Sequence, residues 1–196
     1  MIINEKKLEL KKMDQENLSS ELINACYDGN LELVKYVLTS PELKVHSDIH
    51  AQNDDAFIWS CSKGHLAIVQ YLLISPELKE HADIHAVGDD GLKYACGNGH
   101  IDIVKYLLSL PDLKDNTNIF TKENGDGFIN ACLNKHTEVI KYLIFDHNIE
   151  KTIYIDNYLV ENKRKDILNM FDKRELESKL QTHLPKSQHI LPKIKL

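Results

Sequence analysis

The sequence predicts an all-α fold, a solenoid of stacked helix-turn-helix units joined by short hairpin loops, and three observations predict it. Cysteine recurs at a fixed interval: Cys26, Cys61, Cys96 and Cys132 are 35, 35 and 36 residues apart. Each sits in the same context, ACYDGNLELVKYVL, SCSKGHLAIVQYLL, ACGNGHIDIVKYLL and ACLNKHTEVIKYLI. In three of the four copies a glycine, Gly29, Gly64 or Gly99, stands three residues after the cysteine, and an apolar stripe follows it.

Within a unit, a small pair such as Ala95 and Cys96 closes a short first helix, because compact side chains let neighbouring helices approach closely. Glycine then ends that helix, since a left-handed residue just past a helix end strains any side chain. The second helix carries Leu66, Val69, Leu72 and Leu73 in one copy and Ile101, Val104, Leu107 and Leu108 in the next, spaced for one buried face. Such a helix buries its stripe only by stacking on its sequence neighbours. The connections SPELKVHSDIH from Ser40, SPELKEHADIH from Ser75 and LPDLKDNTNIF from Leu110 follow. A serine cap, proline at the first helical position and an acid behind it predict an extra helical turn, anchored by Leu43, Leu78 and Leu113.

The organisation expected is a capping segment over 1–19, four repeats over 20–155, a degenerate fifth repeat as cap over 156–173, and a short helix with a basic tail over 174–196. In the fifth copy Val160 takes the cysteine slot, and Ile167, Leu168, Met170 and Phe171 take the apolar slots. Leu8, Leu10, Met13 and Leu18 are spaced to cover the first repeat. The prolines of the two LPK triplets, from Leu184 and Leu191, predict a flexible or surface-docked tail.

Composition narrows the function classes. A chain of 196 residues with 42% hydrophobic and 28% charged content has a globular composition. Its net charge of −6 offers no field for phosphate backbones, so nucleic acid is not an expected partner. No apolar run approaches the roughly 18 residues of a membrane span, and the opening MIINEKKLELKKMDQEN has no signal-peptide core. The protein is expected to be cytoplasmic, of its own cell or of a host cell, with no membrane partner.

The segments GHLAIVQYLL from Gly64 and GHIDIVKYLL from Gly99 resemble the second-helix signature of the ankyrin repeat, over about residues 20–172. The family usually opens its first helix with Thr-Pro-Leu-His. This chain has DAFIWSC, DGLKYAC and DGFINAC from Asp55, Asp90 and Asp126, so a shortened or remodelled helix start is expected. The long connection after the second helix is similar to ankyrin arrays of intracellular bacteria and large viruses, which often act on host components. The resemblance makes His65, His100 and His136 structural histidines bonded to a neighbouring loop, and implies an extended hairpin entry at Ser47-Asp48-Ile49 and Ala82-Asp83-Ile84.

No metal and no cofactor are expected. Stacked cysteines are about 10 Å apart by helix packing, beyond the roughly 7 Å that a disulfide spans, so they read as buried thiols. No cysteine pair has zinc spacing. His46 with His50 and His81 with His85 are spaced i and i+4 as helical ligand pairs are, but the third copy carries Asn116 and Phe120 in those slots. The chain has no phosphate loop, nucleophile elbow or HExxH motif, and a thin stack encloses few pockets; neither catalysis nor a small-molecule substrate is expected.

What varies between copies marks the expected partner surface, which the resemblance places on hairpin tips and the concave side of the first helices. The tips are Asn53, Asp54 and Asp55, then Gly88, Asp89 and Asp90, then Glu123, Asn124 and Asp126. The helical positions are Asn24, Tyr27 and Asp28, then Trp59, Ser62 and Lys63, then Tyr94, Gly97 and Asn98, then Asn130, Leu133 and Asn134. Trp59, the only tryptophan, either joins Tyr27 and Tyr94 in an aromatic strip, the side chains that dominate hot spots, or fills the gap left by the shortened helix. Acidic tips suit a basic partner surface, or are plain solvated loops. The function expected is binding of another protein, as an interaction module, an effector or an adaptor. The alternatives are an inhibitor occluding an enzyme site, and an enzyme with a pocket near the tail.

Overall fold

The computed structural model describes residues 2–114 and 126–183, and its helices follow the 35-residue period. Helix α1 (Ile2–Leu10) precedes the first repeat, α2 (Gln15–Asp28) and α3 (Leu31–Thr39). The second repeat is α4 (Ala51–Lys63) with α5 (Leu66–Ile74), and the third is α6 (Ala86–Gly97) with α7 (Ile101–Ser109), followed by the short α8 (Pro111–Lys114). The fourth has α9 (Asp126–Leu133) and α10 (Thr137–Lys141), which runs on into a π-helical turn, Tyr142–Asp146. Helices α11 (Ile153–Glu161) and α12 (Lys165–His183) complete the described chain. No strand is present among the described residues. The tip residues Glu123 and Asn124, the slots Asn116 and Phe120, and the tail 184–196 lie outside them.

First helices stack on first helices (α2, α4, α6, α9) and second helices on second helices (α3, α5, α7, α10), giving two layers and a core running along the stack. Its largest members are aromatic and aliphatic: Phe57, Phe128, Leu22, Leu72 and Leu107 are fully buried. All four cysteines are free, buried thiols. Burial pushes the Cys26 and Cys132 thiols up to about 12, far from the thiolate range. The slot faces the following repeat: a Cβ on Gly91 would come within 3.3 Å of Cys61 Sγ. No repeat follows Val160 among the described residues, and the same slot is 58% exposed there.

Two expectations need correction. The first repeat starts ahead of residue 20, because Asp14 caps α2 by accepting from Asn17 N at 2.9 Å; Leu18 therefore belongs to the repeat, and Leu8 is exposed. The extra helical turn forms only in the third connection, as α8. In the first two the chain makes a single turn, Leu43 N to Ser40 O (3.1 Å) and Leu78 N to Ser75 O (3.2 Å). His46 and His81 then fold back and donate Nε2–H to those serine carbonyls, at 3.0 and 2.9 Å. The second and third repeats enter their first helices through a left-handed turn. Right-handed helix in α4 begins only after Gln52, Asn53 and Asp54, so the helix is shortened as expected. The segments between the i, i+4 histidines are not helical, and the second member of each pair, His50 or His85, ends its connection and braces that turn.

Candidate functional site: the inner face of the first three repeats

The left-handed turns hold five of the eight non-glycine residues with positive φ in the described chain. Gln52, Asn53 and Asp54 have φ of 56, 59 and 64°, and Val87, Gly88 and Asp89 have 50, 68 and 70°. Each non-glycine residue there costs roughly 1–2 kcal/mol, and β-branched Val87 is the least suited of them. Side-chain bonds hold the turns. His50 Nδ1–H donates to Asp54 Oδ1 at 3.0 Å, and His85 Nδ1–H to Asp89 Oδ1 at 2.6 Å. The backbone N–H of Asp83 donates to Asp54 Oδ1 at 2.9 Å, tying the third repeat to the second. In the first repeat the corresponding acceptor is the Ser19 hydroxyl, which takes the Asp48 N–H at 2.8 Å.

Asp54 is therefore a structural acceptor, only 6% exposed, and the expectation of an exposed acidic tip fails for it. Its neighbour takes the opposite orientation. The turns push Asn53 and Val87 outward, leaving the valine side chain 57% exposed. Between the second and third repeats they border a cleft of about 250 Å³, lined by Asp55, Trp59, Ser62, Val87, Asp90 and Tyr94. Sequence reasoning missed Val87. The available signal was the pairing of Asn53 with Gly88, the residue types that tolerate positive φ, preceded in each case by a histidine four residues before an aspartate.

Trp59 stands on α4 with Tyr27 as its ring partner. Its ring meets Tyr27 edge-to-face at 5.3 Å, yet remains 37% exposed. Lys63 Nζ lies 4.1 Å from the Tyr27 ring centre and 5.9 Å from that of Trp59. Tyr94, at the equivalent position of the next repeat, is 48% exposed. Asn24 and Asp28 are exposed beside Tyr27, and Leu133 is exposed on the fourth repeat. Asp90 is held by Lys93 at 3.2 Å. Burial pushes the Asp55 carboxyl above the usual range, while a hydrogen bond from Trp59 pulls it back.

The remaining expected positions serve the stack itself. Asn98 donates from Nδ2 to the Ser62 carbonyl (3.0 Å) and hydroxyl (3.1 Å), and Asn134 donates to the Gly97 carbonyl at 2.6 Å. Both amides staple a repeat to its predecessor. The half-buried Asn130 packs against Gly97, where a Cβ would come within 3.1 Å of its own. His65 and His100 donate from Nε2 to the Tyr27 and Ser62 carbonyls at 3.1 and 2.9 Å, the structural role the resemblance implies. Among the described residues no three His, Cys, Asp or Glu side chains converge as a metal site would require, and no helix is long and apolar enough to cross a membrane.

No curated protein matches the chain. The family model for ankyrin repeats in three copies matches residues 22–119 and 76–155, together more than half of the sequence. Proteins built from these repeats are generally protein-protein interaction modules and typically not enzymes. With the stacked two-helix units, the glycine-histidine couples between them and that match agreeing, the chain belongs to the ankyrin-repeat family.

Proposed function

We propose that this chain is a protein-binding module that takes a segment of its partner along the inner face of the first three repeats, with Tyr27, Trp59, Val87 and Tyr94 as anchors. The observation that carries the reading is the exposed aromatic and valine cluster around the 250 Å³ cleft, raised on two turns whose backbone is strained. Strain of this kind persists where the surrounding bonds over-determine it, and it concentrates at ligand clamps. A surface already fixed by His50, Asp54, His85 and Asp89 loses little freedom on association, which lowers the ordering cost of binding. Asn24, Asp28, Asp55 and Asp90 form the polar margin. The carboxylates there, in a chain of net charge −6, favour a protein over a nucleic acid.

The test compares two faces. Replacing Trp59, Val87 and Tyr94 together by alanine removes three anchors, and aromatic hot spots cost about 2 kcal/mol or more each. Affinity for the purified partner, measured by calorimetry, is expected to fall at least ~100-fold, with the unfolding midpoint nearly unchanged. Ile74→Ala, on the second-helix layer, is expected to leave affinity intact. Undiminished binding by a natively folded triple variant would refute the proposal.

A further inference from the structure

We infer that the cleft between Trp59 and Tyr94 receives a basic side chain of the bound partner, its alkylammonium or guanidinium group held between the two rings with Asp55 as counter-charge. This rests on the inner-face reading above and specifies its chemistry.

Trp59 and Tyr94 occupy equivalent positions on α4 and α6, adjacent helices of the stack. The equivalent pair one repeat earlier, Tyr27 and Trp59, already holds one ammonium, that of Lys63, at 4.1 and 5.9 Å from its ring centres. A cation is attracted to an aromatic face within about 6 Å of the ring centre. The cleft, about 250 Å³, is smaller than the roughly 300–1,000 Å³ of a drug-sized ligand site, which suits one side chain. Val87 at the rim offers apolar surface for the methylene stem that lysine and arginine bury while their charged heads stay polar.

Charge selects the sign. Asp55 and Asp90 are equivalent residues, and both line the cleft. Three positions after Asp90 stands Lys93, which pairs with it at 3.2 Å; three positions after Asp55 stands Ile58, which is buried in the core. Among the described residues Asp55 thus has no cation of its own, although it is half-buried beside an exposed indole. Burial raises its carboxyl, so a cation in the cleft would relieve an existing penalty. On the Tyr27 side of the same indole, Lys63 already places an ammonium over the aromatic pair. The cleft on the Tyr94 side repeats that arrangement without its lysine, since the residue equivalent to Lys63 in the third repeat is Asn98.

The single tryptophan of the chain provides the readout. The full chain is titrated with Nα-acetyl-lysine amide, Nα-acetyl-arginine amide and the neutral Nα-acetyl-glutamine amide, following Trp59 emission. Saturable changes in the millimolar range are expected with the two cations and not with the glutamine compound. Asp55→Asn, which keeps an acceptor for Trp59, should weaken the cations about fivefold, and added salt should weaken them too. Equal response to the neutral compound, no saturation with any probe, or indifference to Asp55→Asn would overturn the inference. Partner binding separates it from the reading beneath it. If the alanine triple variant loses the partner while Asp55→Asn retains full affinity, the inner face stands and the basic side chain falls. If both bind normally, the two fall together.

Discussion

The second and third repeats share a template with the fourth and fifth, yet the two pairs satisfy it differently. In the first pair Gly64 and Gly99 hold the left-handed position after the first helix, with φ of 83 and 80°. In the second pair Lys135 and Lys163 hold it, with φ of 61 and 56°. The neighbour explains the difference. A Cβ on Gly64 would meet His100 Cε1 at 2.7 Å, so the imidazole of the next repeat fills the space that a side chain would need. After Lys135 the histidine slot is taken by Arg164, which reaches the Cys132 carbonyl instead, and after Lys163 no further repeat follows among the described residues. Glycine in this slot therefore answers to the adjoining histidine as much as to its own dihedral angles.

The largest effect expected from that comparison is at Gly64. Gly64→Ala adds left-handed strain of about 1–2 kcal/mol and a clash costing about 1–3 kcal/mol, a loss of about 2–5 kcal/mol in urea unfolding. Combining it with His100→Ala should recover the clash component, read as a coupling energy in a double-mutant cycle. Additive losses would show that the glycine serves its dihedral angles alone. At Lys135 the sign reverses. Lys135→Gly should stabilise by about 0.5–1 kcal/mol, the strain relieved exceeding the extra chain entropy of glycine, and an unchanged midpoint would indicate that the lysine backbone is already relaxed.

The smallest effect concerns the tyrosines of the second helices. Tyr36 and Tyr71 donate to Glu42 and Glu77, each at 3.2 Å. Six residues after Tyr106 the sequence has Asp112, one methylene shorter than those glutamates, and the Tyr106 hydroxyl is buried without a partner among the described residues. Tyr71→Phe is expected to cost about 0.5–1 kcal/mol, and Tyr106→Phe to be neutral or stabilising by up to about 1 kcal/mol, because an unpartnered buried hydroxyl already carries its desolvation penalty. Equal losses at the two sites would mean that Tyr106 is satisfied.

The repeat was legible because stacking imposes a period: cysteine, glycine, histidine and the apolar stripe each answer to the same neighbour one unit away. Trp59, Tyr27, Tyr94 and Lys63 were legible as departures from that template. The left-handed turns were not, because they depend on His50 reaching Asp54 and His85 reaching Asp89, pairs that read in one dimension as i, i+4 histidines and acidic loops. For the same reason Asp54 looked like part of an exposed tip, while Asn98 and Asn134 looked free although their amides are used between repeats. Subtracting the template finds what differs; it does not tell a staple from an anchor. Val160 shows the converse, a residue that fits the cysteine slot in sequence and loses its burial at the end of the stack.

The central claim is that partner contact falls on the inner face of the first three repeats, and site-specific photocrosslinking tests it most directly. Benzoylphenylalanine placed at Trp59, at Tyr94 and at Ile74 reports contact within reach of each position. The account predicts discrete adducts with the same partner from positions 59 and 94 and none from 74. Adducts from 74 with none from 59 or 94 would contradict it.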